Sequence, residues 1–515
     1  MTLFSDSRKI ISVLVILISL FLSAHIRASG VDQLSPIKVN TGQPYVIGAW
    51  YYTGWGETSD LQISLTRKHF GREGDSWGGL RDFALGYDPF NTRVDYSDRI
   101  PLLGFYDQMD QRIVDTHIRQ AASRGLFFFA IYWYWDADKN QEAPASIPLH
   151  KFMASPEKHK IKFMLAPVML GSVNDRQTTT LEDWQNRIVP YMVDHYISDP
   201  DYLTTVDGRP LINLFSVDII RKPRMDSFRV ALDFLRKKVI EKMGKDPVIL
   251  FRPVQSQGEG DLAFIKQRLN VDGFQCFSIW PGTNGEDYGV TLSRLTPFLE
   301  AQRKFFHVPC TNAGSDNRPW YLSWGTKRPD CSSLATGCFY NNNVTPERFD
   351  QQLRTIKQYL DGHPDSTSKM LTIYAWNEWS EGGVIEPTKK DGYKLLDIIQ
   401  NVFGLSSRDS TPPIPDDRVS PSIPTGLKAE AVSRSQIDIT WNTAIDNMRV
   451  AGYKVYKNGE MTGNVTSLTQ NPMSRVLYSD TNIRPSTTYT YAISAYDAAG
   501  NHSEPSAAFS MTTPP

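Results

Sequence analysis

The chain reads as a (β/α)8 TIM barrel followed by a small all-β sandwich. Three observations predict this. Between residues 45 and 402, apolar β-prone runs alternate with longer amphipathic runs of 3.6-residue period. Several of the short runs are apolar throughout, as strands of a parallel sheet covered on both faces must be. After residue 403 the composition turns rich in Pro, Ser and Asp, and short strands then recur between turns. A doubly wound open sheet would also alternate strands and helices, but no Gly-rich phosphate loop follows any strand run.

In chain order, residues 1–28 read as a signal peptide. Arg8 and Lys9 precede the apolar run 10–22, and the small residues Ala24, Ala28 and Ser29 follow it. An uncleaved signal anchor is the competing reading; the run is short for a membrane span. Strands are expected at 45–52, 126–134, 161–168, 210–215, 247–252, 273–280, 306–311 and 370–376. Helices are expected at 111–123, 180–197, 225–242, 261–269, 292–304, 346–360 and 393–402. The barrel domain is therefore placed at 40–405, a linker at 406–423 and the sandwich at 424–515. Trp441 suits the buried Trp of such a sandwich, and the Ile483–Pro485–Thr487–Tyr489 spacing suits a tyrosine corner.

At 515 residues the chain is long enough for more than one domain, and its net charge of −1 leaves no electrostatic footprint for nucleic acid. No later stretch approaches a membrane span, so an exported, soluble monomer, secreted or periplasmic, is expected. Export permits disulfides. Of the four cysteines, Cys331 and Cys338 share one polar loop and are expected to pair; a metal site is disfavoured because no second Cys or His pair stands at ligand spacing.

Chemistry concentrates at 371–387. An apolar strand ends in Trp376-Asn377-Glu378-Trp379-Ser380-Glu381 before a Gly pair. Carboxylates three apart at the point where strand gives way to loop can enter one cleft, and two carboxylates are the minimum equipment for glycoside cleavage. A solvated acidic turn is the plain alternative. Function in a barrel gathers at the C-terminal strand ends. Those ends carry Tyr51, Tyr52, Trp133, Trp135, Trp280, Trp376 and Asn377, with Asp316, Arg318 and Glu386 on the same rim; all ten are taken as substrate-binding residues. The insertions 57–99 and 314–343 would wall the cleft.

Several separated blocks resemble the glycoside hydrolase family 99-like group, which includes endo-α-mannosidases and WbsX-like proteins. They are Ile47-Gly-Ala-Trp-Tyr-Tyr-Thr-Gly-Trp55, Pro101-Leu-Leu-Gly-Phe-Tyr-Asp107, Phe129-Ala-Ile-Tyr-Trp-Tyr-Trp135, Asp199-Pro-Asp-Tyr-Leu203, Ser315-Asp-Asn-Arg-Pro319 and Trp376-Asn-Glu-Trp-Ser-Glu-Gly382 with Ile385-Glu-Pro387. Leu165-Ala-Pro-Val-Met169 departs from the Ala-Asn-Glu-type block usual after the third strand. The resemblance implies an endo-acting, retaining hydrolase of an α-linked, mannan-like polysaccharide or oligosaccharide, without metal or cofactor. Glu378 would be the base on the sugar 2-hydroxyl and Glu381 the general acid/base. Residues 424–515 resemble a fibronectin type III module, a polymer binder or, more simply, a spacer. A WbsX-like glycosyltransferase and a non-catalytic carbohydrate-binding protein are the rival readings.

Overall fold

The computed structural model describes residues 37–39, 42–56, 77, 80, 84, 96–136, 138–170, 180–214, 225–253, 257–282, 285–319, 339–409, 419–446, 450–466, 475–497 and 501–515. Residues 1–28, expected to be a signal peptide, Cys331 and Cys338, expected to pair, most of the 57–99 insertion and the middle of 314–343 lie outside them.

Parallel strands form the frame. They are β1 (Val46–Tyr51), β2 (Phe128–Asp136), β3 (Lys162–Leu170), β4 (Leu211–Leu214), β5 (Val248–Phe251), β6 (Gly273–Gln275), β7 (Phe306–Val308), β8 (Cys310–Asn312) and β9 (Met370–Tyr374). Two hydrogen-bonded arcs result: β8-β9-β1-β2-β3 and β4-β5-β6-β7. The expected seventh strand is real but broken at Pro309, which has no N–H for a ladder. Its first half pairs with β6 (Gln275 opposite Val308) and its second half with β9 (Cys310 opposite Thr372). At the other seam, β3 and β4 do not pair directly among the described residues. Residues 201–203 bridge them, with Leu203 N–H donating to Phe163 O and Leu211 N–H to Leu203 O. Counting the broken seventh as one, eight parallel strand positions occur among the described residues, in two sheets. The continuous ring expected from the sequence is replaced by two arcs joined through these seams.

Helices cover the arcs because one stripe of each is apolar. Gln111–Ser123 begins where the Asp110 carboxylate accepts from Arg112 N–H, and it buries Ile113, Val114, His117, Ile118 and Ala121. Pro346–Gly362 opens on a Thr345 cap with Pro at its first turn and buries Phe349, Leu353, Ile356 and Leu360. Lys394–Phe403 stops at Gly404, whose φ of 61° is left-handed. The chain then stays on this domain through Asp409. Ser406 N–H donates to Gln43, Arg408 lies over the Phe127 ring, and Asp409 pairs with Lys160.

Residues 425–512 form two antiparallel sheets: Thr425–Ser433, Gln436–Asn442 and Arg475–Asp480 in one, and Glu460–Thr466, Val450–Lys457, Thr488–Asp497 and Phe509–Thr512 in the other. Trp441 is fully buried between them. The Tyr489 hydroxyl accepts from Arg484 N–H at 2.8 Å, which is the expected tyrosine corner. No helix among the described residues is long and apolar enough to cross a membrane, and no metal-binding group of His, Cys, Asp and Glu occurs among them.

The two cysteines in strand runs, Cys276 and Cys310, are bridged, with Cα atoms 5.1 Å apart. Neighbouring strands bring them together, a proximity that sequence spacing does not reveal.

Candidate active site

β9 delivers the chemistry. Past Tyr374 the chain leaves the ladder, and Asn377–Glu378 folds back against Gly383–Val384 as a minimal hairpin. A short helical turn, Trp379–Glu381, fills the bend and closes at Gly382 with φ 73°. Gly383 is required here, because a Cβ would lie 2.4 Å from the Tyr374 ring. That close approach sets the Tyr374 hydroxyl beside Glu381, to which it donates. Across the cleft, Tyr132 on β2 hydrogen-bonds Glu378. Each glutamate thus has its own phenol.

Both carboxyls lie above the ordinary range. Burial pushes up Glu378, and the charge of Glu381 adds to it; the bond from Tyr132 acts the other way. Burial also pushes up Glu381, opposed by the bond from Tyr374. Such a pair holds one shared proton between its two titration steps. The phenols cannot compete for the negative charge, because burial, then the charge of Glu378, raises Tyr132 and Tyr374 well above the usual phenolic value.

The hairpin is held from below and from the side. The buried Glu386 carboxylate accepts from Tyr106 OH at 2.7 Å and Trp379 Nε1 at 3.1 Å, and lies 3.1 Å from His117 Nε2. His117 Nδ1 is in turn 2.9 Å from Tyr51 OH. Asn377 joins the hairpin to the end of β1: it accepts from Tyr52 N–H at 2.8 Å and donates to Tyr52 O at 2.9 Å. Its own carbonyl accepts from Trp55 Nε1 at 2.7 Å.

The ten residues assigned to substrate binding therefore divide. Tyr52 and Trp280 are half-buried at the mouth, with the Trp280 ring 5.3 Å from that of Tyr374. Asp316 and Arg318 sit together on the rim. Tyr51, Trp376, Asn377 and Glu386 are buried supports. Trp133 and Trp135 turn away from the cleft: Trp133 stacks near Tyr191 and donates to Glu142 at 2.5 Å, and Trp135 packs on Tyr191. The reason is strand alternation. Tyr132 and Tyr134 face the glutamates, so their odd-numbered neighbours face the covering helices. Glu142 anchors that outer layer. Burial works to raise its carboxyl, but bonds from His150, Tyr196 and Tyr191 outweigh it and hold Glu142 below the usual value.

Tyr132, Tyr374, His117, Tyr106 and Arg99 were not among the residues expected at the site. The strand phase could have indicated the two tyrosines. Tyr106 lies in the Pro101–Asp107 block, whereas nothing local marks His117 and Arg99, which arrive from distant segments.

These features define a two-part protein: an α/β domain with a paired-carboxylate cleft, joined to a fibronectin type III domain. The family model described as "Glycosyltransferase WbsX" matches residues 332–399, and that for the fibronectin type III domain matches residues 422–512. Among curated proteins, "Uncharacterized protein WxcX" of Xanthomonas campestris pv. campestris (strain B100) is 24% identical over 370 residues, 64% of this chain and 47% of that protein. "Alpha-amylase" of Niallia circulans is 40% identical over 103 residues, 20% of this chain and 7% of that protein. The chain spans less than half the length of these two relatives. Among solved structures, the "GH99 endo-alpha-mannosidase from Bacteroides thetaiotaomicron" is similar at 15% identity and a TM-score of 0.45, over 70% of this chain and 96% of that one.

Proposed function

We propose that the protein is an exported glycoside hydrolase that cleaves α-linked bonds within a polysaccharide and retains configuration. The observation that carries this reading is the pairing of buried Glu378 with half-buried Glu381, with a separate phenol on each member. A site holding one proton between two carboxyls has both the acid and the base that glycoside cleavage needs.

In this reading Glu378 takes the proton of the sugar 2-hydroxyl, and O2 attacks the anomeric carbon. The glycosidic C–O bond breaks as Glu381 gives its proton to the leaving oxygen. Glu381, now a carboxylate, takes a proton from water, whose oxygen opens the 1,2-anhydro ring. O2 recovers its proton from Glu378. Two displacements return the original configuration, and no metal or cofactor takes part. Half-buried Tyr52 and Trp280 supply apolar ring faces for sugars at the mouth.

The test is to follow polysaccharide digestion by proton NMR. The first-formed reducing end should have the α configuration; initial β product would overturn retention. The word "glycosyltransferase" in the matched family description favours a second reading. It requires tight nucleotide-sugar binding, which titration calorimetry on the purified protein decides.

A further inference from the structure

We infer that the leaving-group side of the cleft takes a glycan substituent bearing a negative charge, a uronate carboxylate or a sulfate ester, gripped by Arg318 and Arg99. The inference rests on the proposed role of Glu381 for the word "leaving-group" only; the charge argument is independent of it.

Asp316 is a buried carboxylate that serves two guanidiniums. Arg318 grips it with Nε and Nη2, both at 2.8 Å, while Arg99 Nη2 reaches it at 2.9 Å and Arg99 Nη1 donates to its carbonyl at 3.1 Å. Two guanidiniums share the one Asp316 carboxylate, so neither has that carboxylate to itself. The carboxylate of Asp98, next to Arg99, faces Lys390 at 3.9 Å instead. Each guanidinium also lies on an aromatic face, Arg318 at 3.8 Å from the Tyr340 centroid and Arg99 at 4.8 Å from that of Tyr96. Stacking and the Asp316 grip fix the planes, and the Arg318 Nη1 edge points away from Asp316. A planar, pre-oriented guanidinium edge is suited to carboxylate or sulfate oxygens.

The cluster lies beside the acid. Asp316 N–H donates to Glu381 O at 2.6 Å, and a Cβ on Gly382 would come within 3.0 Å of Arg99 Nη2. The Arg318 and Arg99 side chains keep 21% and 15% of their surface exposed, so the charge reaches solvent at the cleft rim. A neutral mannan-like chain would offer these two guanidiniums no anion of its own, whereas an anionic residue one or two sugars beyond the scissile bond would meet them.

The experiment compares uronate-containing polysaccharides with their carboxyl-reduced forms, and sulfated ones with their desulfated forms. Reducing-end release and affinity electrophoresis are read for each. Acidic parents should be preferred at least roughly tenfold, with a preference that shrinks as salt rises, and whichever arm shows it identifies the anion. Arg318→Gln and Arg99→Gln should each raise KM on the preferred substrate about 10-fold or more while kcat changes less than about threefold, and Arg318→Lys should be intermediate. Unchanged melting, expected because Asp316 keeps one partner in each variant, excludes misfolding. Equal cleavage of acidic and neutral forms overturns the inference and leaves the hydrolase reading intact. Retardation by acidic glycans that Arg318→Gln abolishes, without any cleavage, upholds the anion site and sinks the hydrolase reading.

Discussion

The Tyr374 hydroxyl, at the end of β9, donates to the carboxylate of Glu381 in the bend of the hairpin that follows. This bond favours the ionised form of Glu381 and so works against burial, which favours the neutral form. Tyr374→Phe removes it, so the Glu381 pKa must rise further. In the proposed mechanism Glu381 acts protonated in bond cleavage, so activity should be lost as pH climbs through its pKa. The alkaline limb of the kcat/KM profile should therefore move to higher pH, while the maximum rate falls roughly 10–100-fold, the range for a charged hydrogen bond. A profile that stays in place or moves to lower pH contradicts the assignment.

Glu378→Gln and Glu381→Gln should each lose about 10²–10⁴-fold in turnover with the fold intact. Circular dichroism and initial rates check both halves of that statement, and near wild-type turnover in either variant would sink the mechanism.

The same substitutions should change how stability depends on pH. A carboxyl whose folded pKa lies above its unfolded value keeps its proton in the folded state after the unfolded chain has lost it. Folding stability therefore falls as pH rises from about 4.5 upward toward the folded pKa. Glu378→Gln removes one of the two carboxyls that carry this penalty, so its melting temperature relative to wild type should climb between pH 5 and pH 8. A difference that is flat across that interval would show that the pair does not hold its shared proton above the ordinary carboxyl range.

Most of the frame was legible because parallel strands buried on both faces are written as apolar runs, and helices as apolar stripes. The site was legible only where one segment carries it. Trp376-Asn377-Glu378-Trp379-Ser380-Glu381 announces two carboxylates, and both enter the cleft. The Trp-rich end of β2 misleads, since large indoles look like sugar platforms while the pleat sends Trp133 and Trp135 to the helix side and Tyr132 to the cleft. Glu386 misleads in a different way. Its contacts with Tyr106 and His117 span 280 and 269 residues, and no local pattern marks a carboxylate as a buried brace.

That brace makes its own prediction. Glu386→Ala leaves Tyr106, Trp379 and His117 facing a void with their acceptor gone. Each unmet buried partner costs about 1–3 kcal/mol, so several kcal/mol of stability should go, together with turnover, because Trp379 adjoins Glu378 directly. Glu386→Gln keeps an acceptor oxygen and the shape, and it should be much milder. Denaturant melts of the two variants settle the point; an Ala variant as stable as wild type would show that the network carries little.

Cysteine pairing is checked by peptide mapping of the unreduced protein. Cys276–Cys310 should appear as one linked pair, and Cys331–Cys338, in residues outside those described, is the remaining expectation. Closing a 34-residue separation should contribute about 3–4 kcal/mol in the chain-entropy treatment. Cys276→Ser with Cys310→Ser should lower stability by that order, and unchanged melting would mean the pair is not closed in solution.

The fibronectin type III domain should be separable from catalysis, but not at the boundary that composition suggests. Pro and Ser begin at residue 406, yet Ser406 and Gln43 exchange hydrogen bonds, Arg408 covers Phe127, and Asp409 pairs with Lys160. These residues therefore pack on the α/β domain. The sandwich meanwhile has its own core around Trp441, Tyr453 and Tyr491 and its own tyrosine corner. A chain ending after Asp409 should fold and keep wild-type kcat on short oligosaccharides, whereas one ending before Ser406 should melt several degrees lower. On insoluble polymer the shorter enzyme slows if the module binds glycan, since tethering raises the effective substrate concentration without altering the chemistry. Loss of activity on short substrates by the folded 409-terminated chain would show instead that the module completes the active site.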